Sequence, residues 1–229
     1  MDQSKQPELS EERIQTSILA KPERKALVWM APRLPEWVTP DMLTFFGLFG
    51  LVISGISYYF AQEHWGFLIL ASIGLVINWL GDSLDGTLAR VRKKQRPKFG
   101  YYLDHLIDSF GISILIFGLS YSNIITRSLS WIILILFFIA CINTYLATST
   151  VKEFKISYLK VSTTEFRVLM IIVNTILIFF KKITLFGFTT FWIDYVAVLV
   201  CLFLFVAIIR SAYKNLTKLN RQERALWEK

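Results

Sequence analysis

The chain has 229 residues, 54% of them hydrophobic, with six prolines, eleven glycines and a formal charge of +8. This composition excludes an ordinary soluble domain and a long flexible linker, and indicates one integral membrane domain with short polar tails. Nucleic-acid binding is a poor use of the charge, because no soluble domain exists to carry it.

Residues 1–40 are polar and lack a short apolar core followed by a small-residue cleavage site, so no cleavable signal peptide is expected. Within them, 10–31 reads as one or two short helices. Ser10 with Glu11 and Glu12 fits a helix start, and Pro22 opens a second turn. Ala26, Leu27, Trp29 and Met30 give an apolar face beside Lys21, Arg24 and Lys25. The pattern is that of a helix lying on the cytoplasmic membrane surface, an anchor without a catalytic part. Thr39 and Pro40 then read as a cap and first residue of the next helix.

Six apolar runs follow, near 41–61, 66–90, 99–121, 129–150, 165–181 and 187–211. Each is long enough for a helical span, which takes about 20 residues. The expected fold is therefore all-α: a cytoplasmic tail and interfacial amphipathic helix over 1–40, a six-helix transmembrane domain over 41–211 and a cytoplasmic tail over 212–229. An even number of spans puts both termini on one side. The tails and the loops on that side hold 22 of the 25 Lys and Arg residues, leaving Arg127, Lys181 and Lys182 opposite. Positive residues stay cytoplasmic, so both termini are expected inside, with the charge available to anionic lipids. Cys141 and Cys201 lie within apolar runs and read as packed thiols. Asn143, Thr144, Asn174 and Thr175 read as interhelical hydrogen-bonding positions, and the tryptophans mostly as lipid-facing or belt residues.

The second and third runs carry Asp82, Asp85, Asp104 and Asp108. A carboxylate inside a membrane is costly, so four of them need a purpose. Asp82 and Asp85 are three apart on one helix, and Asp104 and Asp108 four apart on the next, so each pair shares a face. A short basic loop makes the two helices antiparallel neighbours, and the four carboxylates are expected to converge. Without cations they would repel one another. Two divalent ions of the hard, oxygen-preferring kind, Mg²⁺ or Mn²⁺, would neutralise them. Gly86 and Gly100 let helices approach and leave room for a ligand backbone or phosphate, and Arg90 at the mouth can grip a phosphate. Metals beside such an arginine suit phosphoryl-group chemistry.

D-S-L-D-G-T-L-A-R, nine residues, then G-Y-Y-L-D-H-L-I-D resembles the signature of the CDP-alcohol phosphotransferase family. That signature runs D-x2-D-G-x2-A-R, a spacer of eight or nine residues, then G-x3-D-x3-D. Asp82, Asp85, Gly86, Ala89, Arg90, Gly100, Asp104 and Asp108 fill all eight fixed positions. The resemblance implies transfer of a phosphate-linked group from a CDP-activated donor to an alcohol, releasing CMP, in phospholipid synthesis. It implies that Asp82, Asp85 and Asp104 ligate a metal pair, and that Asp108 ligates one metal and serves as base. It implies nucleotide-diphosphate contacts from Gly86, Ala89 and Arg90, and a homodimer. Thr39-Pro40-Asp41-Met42-Leu43-Thr44 is similar to a Pro-Asn-x-x-Thr stretch of the family, which makes Asp41 and Thr44 candidates for cytidine contact. The Lys98-Phe99-Gly100 and Pro40-Asp41 stretches resemble bacterial, inner-membrane enzymes that use CDP-diacylglycerol.

His105 gives the string D-H-x-x-D-S, which is similar to choline and ethanolamine phosphotransferases and makes His105 the alternative base. That alternative has a CDP-aminoalcohol as donor and diacylglycerol as acceptor. Glu165, Arg167 and Arg210 lie at cytoplasmic span ends and are candidate acceptor contacts; the other reading of the arginines is positive-inside anchoring. A different class, a divalent-cation transporter or channel, would also place acids in a membrane. Gly86, Ala89 and Arg90 speak against it, since a cation pathway has no use for an adjoining arginine.

Overall fold

The computed structural model describes residues 20–151, 163–180, 182–185 and 188–227. Seven α-helices and one hairpin make up the described chain: α1 (Ala20–Met30), a 3-10 turn (Ala31–Arg33), α2 (Pro40–Phe60), α3 (Phe67–Val91), α4 (Pro97–Ser120), α5 (Arg127–Val151), α6 (Thr163–Phe179), β1 (Lys182–Leu185), β2 (Phe188–Phe191) and α7 (Trp192–Trp227). Five of them, α2, α3, α4, α5 and α7, are long and apolar enough to cross a membrane. α6 has 17 residues. Residues 10–19, where the interfacial segment was expected to begin, lie outside the described part.

Two boundaries differ from expectation. The run read as 187–211 begins as a helix only at Trp192, because β1 and β2 pair antiparallel, with Ile183 opposite Thr190 and Thr184 opposite Thr189. β-Branched residues favour an extended pair over a helix there. At its other end α7 runs on unbroken to Trp227, so the stretch 212–227 is helix continuous with the apolar run.

α2 packs along both α3 and α4, α6 on α3, and α5 on α4 and α7. The α2–α3 seam is close enough for main chain to touch main chain. A Cβ on Gly81 would lie 2.4 Å from the Gly47 nitrogen, and one on Gly74 2.6 Å from the Gly50 carbonyl. Small residues permit this approach in a membrane, where lipid supplies no hydrophobic force between helices. One apolar core, with Leu51, Tyr58, Leu68, Leu75, Leu119 and Leu177, fills the far end of the bundle. A second, built on Leu27, Ala31, Leu43, Leu84 and Leu88, seats α1 against α2 and α3.

Polar side chains tie the helices at chosen points. Tyr58 donates to Asn174 at 3.0 Å, and Asn174 to Ser72 at 3.0 Å, joining α2, α6 and α3. Asn143 donates to Ser211 at 3.0 Å between α5 and α7. Thr144 and Thr175 instead donate to carbonyls of their own helices. Asp194 at the start of α7 accepts from the Thr126 amide at 2.7 Å and hydroxyl at 2.9 Å. It thereby satisfies a free amide at the start of α5.

Candidate active site

The α3–α4 hairpin forms the site. Pro97 starts α4 just after the loop, where its missing amide costs nothing. Across this turn, ligand atoms of Asp82, Asp104 and Asp108 all lie within 4.8 Å of one another. All three residues are partly buried. Convergence was expected of four carboxylates, and this tight group holds three. Asp85 turns toward α2: its Oδ2 accepts from Thr44 Oγ1 at 2.7 Å, and its Oδ1 from the Gly86 amide. Thr44, a candidate cytidine contact, is thus buried and engaged with Asp85, and also lies 3.3 Å from the Pro40 carbonyl.

The start of α2 is held rigidly beside the cluster. Thr39 caps it, accepting from the Met42 amide at 3.2 Å. Arg92, just past the end of α3, donates to the carbonyls of Leu34 at 3.1 Å, Pro35 at 2.8 Å, Glu36 at 3.3 Å and Val38. Asp41 forms an ion pair with Arg96 of the α3–α4 loop. One loop therefore fixes both the mouth and the neighbouring helix start.

The mouth is open. Arg90 is exposed and donates to Thr87 Oγ1 at 3.0 Å, curling over Gly86, where an added Cβ would meet its Nη1 at 3.4 Å. Ala89 beside it is half-buried. A Cβ on Gly100 would meet nothing within 4 Å. Neither glycine lies against a neighbouring helix: close approach, one of the two uses expected of them, falls instead to Gly47, Gly50, Gly55, Gly74, Gly81 and Gly118.

Arg167 is the residue the sequence understated. It is only 9% exposed. Its Nη2 donates to Asp82 Oδ2 at 2.6 Å and its Nε to Asn78 Oδ1 at 2.7 Å. Asn78 in turn donates to the Gly47 carbonyl at 3.0 Å. The guanidinium is therefore a buried counter-ion inside the cluster and not an anchor at the membrane surface. Asn78 was legible as a polar residue four positions before Asp82, on the same helix face. Glu165 is half-buried near the start of α6. Arg210 is exposed on α7, and among the described residues no hydrogen bond or ion pair joins it to the acids.

His105 packs by its ring. Its Nδ1 lies 2.9 Å from the Tyr101 carbonyl and 3.7 Å from Asp104 Oδ2. The ring sits 4.2 Å from that of Tyr101 and 5.5 Å from that of Tyr145. Glu23 and Trp79 were also missed. Trp79, grouped with the lipid-facing tryptophans, donates to Glu23 Oε1 at 2.8 Å. The signal was an acid four residues before Leu27, on the face that the helix buries.

Four aspartates against one buried arginine leave an excess of negative charge in a partly desolvated place. An all-oxygen donor set with that excess fits a hard divalent cation. The profile of the CDP-alcohol phosphatidyltransferase family matches residues 37–214. This chain belongs to that family. An uncharacterized protein of Aquifex aeolicus (strain VF5) is 41% identical over 73 residues, which cover 32% of this chain. The match spans only 34% of that relative's length. The family-matched region takes in the whole of α2 to α6 and most of α7, while α1 lies before it.

Proposed function

We propose that this CDP-alcohol phosphatidyltransferase family member transfers a substituted phosphate group from a CDP-activated lipid, CDP-diacylglycerol, to an alcohol, releasing CMP in phospholipid synthesis. The observation that carries the reading is the convergence of Asp82, Asp104 and Asp108 within 4.8 Å beneath the exposed Arg90. Asp108 would accept the proton of the acceptor hydroxyl as the new oxygen–phosphorus bond forms and the bond to CMP breaks. Arg90 and the open ground over Gly86 and Gly100 would receive the diphosphate. Two divalent ions, Mg²⁺ or Mn²⁺, held by Asp82, Asp85, Asp104 and Asp108, would supply neutralising charge and polarise phosphoryl oxygens. Asp41 and Thr44 act in this reading through the contacts that hold Arg96 and Asp85. Arg167 would meet an anionic acceptor at the inner wall, and Glu165, two residues earlier on α6, is the further acceptor candidate.

The same reading has six crossings, α6 included, since spans of about 17 residues still suffice. Both termini and the site are then cytoplasmic in a bacterial inner membrane, and two copies associate there. A reporter fused to the C-terminus should be cytoplasmic; an external reporter would overturn the six-span layout.

The deciding assay is CMP release by the purified full chain. CDP-diacylglycerol is offered with a panel of alcohols, and CDP-choline or CDP-ethanolamine with diacylglycerol, each with and without chelator. Turnover with CDP-diacylglycerol that disappears in chelator and returns with Mg²⁺ or Mn²⁺ is expected. Turnover only with CDP-aminoalcohols would move the protein to the alternative reading. Cation flux without CMP release would make it a transporter.

A further inference from the structure

The helix that precedes the family-matched region reaches into the wall of the site. Glu23 of α1 places its Oε1 where three donors converge: Trp79 Nε1 at 2.8 Å and Ser83 Oγ at 3.1 Å on α3, and Thr164 Oγ1 at 2.7 Å on α6. Its Oε2 is fully buried, with no hydrogen-bond partner among the described residues. Burying a carboxylate oxygen unsatisfied is unfavourable. Anchoring alone needs only an apolar face, which the buried Leu27 already supplies.

The three donors straddle the ion pair described above. Ser83 adjoins Asp82, and Thr164 stands one helical turn before Arg167. α3 is the main support of α6, whose other end is fixed by Asn174. The Thr164 end is held by Glu23 and by the Arg167 contacts to Asp82 and Asn78. We propose that Glu23 is a positioning residue: it closes the α3–α6 seam and so sets the contact between Arg167 and Asp82. α1 is then part of the active-site wall. The inference rests on the acidic group being a metal site, because Arg167 and a bound cation compete for the Asp82 carboxylate.

A double-mutant cycle read by Mn²⁺ titration of the full chain in nanodiscs tests this. Arg167→Ala should tighten Mn²⁺ binding about tenfold, and Glu23→Ala about fivefold, while Glu23→Ala added to Arg167→Ala should change it less than about twofold. Glu23→Gln keeps an oxygen at the Oε1 position and should stay within about twofold of the unmodified protein. If Glu23→Ala fails to fold, Thr164→Val takes its place in the cycle, since it cuts only the α6 arm. Equal effects of the Glu23 change in both backgrounds, or no effect in either, would overturn the proposal, as would Glu23→Gln behaving like the alanine variant. Protein that shows the cycle yet releases no CMP would lose the transferase reading and keep this one. Absence of Mn²⁺ binding in the unmodified protein would sink both.

Discussion

Glycines do opposite work in the helix seams of this bundle and at the mouth of its acidic group. Deep in the seams they are filled against a neighbour's backbone: a Cβ at Gly118 would lie 1.8 Å from the Gly55 carbonyl oxygen, and one at Gly81 2.4 Å from the Gly47 nitrogen. At the mouth of the acidic group, Gly100 faces open space and Gly86 faces only the flexible end of Arg90. The first set removes side chains so that helices can touch, and the second leaves room that no part of the described chain fills. A small residue near an acidic membrane site therefore indicates a ligand only after its neighbours are known.

The comparison breaks first in the seam. Gly118→Ala must push α2 away from α4, and overpacking of this kind costs about 1–3 kcal/mol, and more where backbone is the obstacle. Little monodisperse protein is expected from size-exclusion chromatography, with a lowered melting point for what remains. A melting curve matching the unmodified protein would mean the seam is looser than its distances. Next in size is Asp108→Asn. CMP release should fall at least about 100-fold, while the melting point in chelator rises, because one of three converging charges is gone. Retained turnover would take the base role away from Asp108. Gly100→Ala sharpens the comparison from the other side. Alanine should stabilise the helix by about 0.5–1 kcal/mol, so a raised melting point with slower CMP release marks a surface that a substrate uses. Unchanged release would leave Gly100 as an ordinary exposed position.

The five long apolar helices and the four acids were legible because the signals are local. Apolar runs mark helices, and intervals of three and four place side chains on one face. The convergence of Asp82 with Asp104 and Asp108 followed from a short loop. The rest depended on contacts between distant stretches. Asp85 turns to Thr44, 41 positions earlier, and Arg167 reaches Asp82 across 85 positions. Neither choice has a period to reveal it. Glu23 was hidden differently, as the one acid in a basic amphipathic helix whose cations suggested a surface. The strand pair Lys182–Leu185 and Phe188–Phe191 was hidden by the apolar residues that surround it.

The smallest expected effect concerns His105, and two substitutions separate its possible roles. The Tyr101 carbonyl can only accept, so the 2.9 Å contact puts the ring proton on Nδ1 and makes Nε2 the basic nitrogen of the neutral ring. Asparagine can return a donor near the Nδ1 position, and glutamine places its amide near Nε2; neither amide can take a proton at neutral pH. If His105 serves by packing on Tyr101 and Tyr145 and by bonding that carbonyl, His105→Asn should keep CMP release within about fivefold, with His105→Gln losing somewhat more. If Nε2 is the base, both variants should lose at least about 100-fold. The two variants thus distinguish proton transfer from support at a position where a single substitution would confuse them. A loss shared by both would also shift the expected substrates toward the aminoalcohol pair, since His105 is what carries that resemblance.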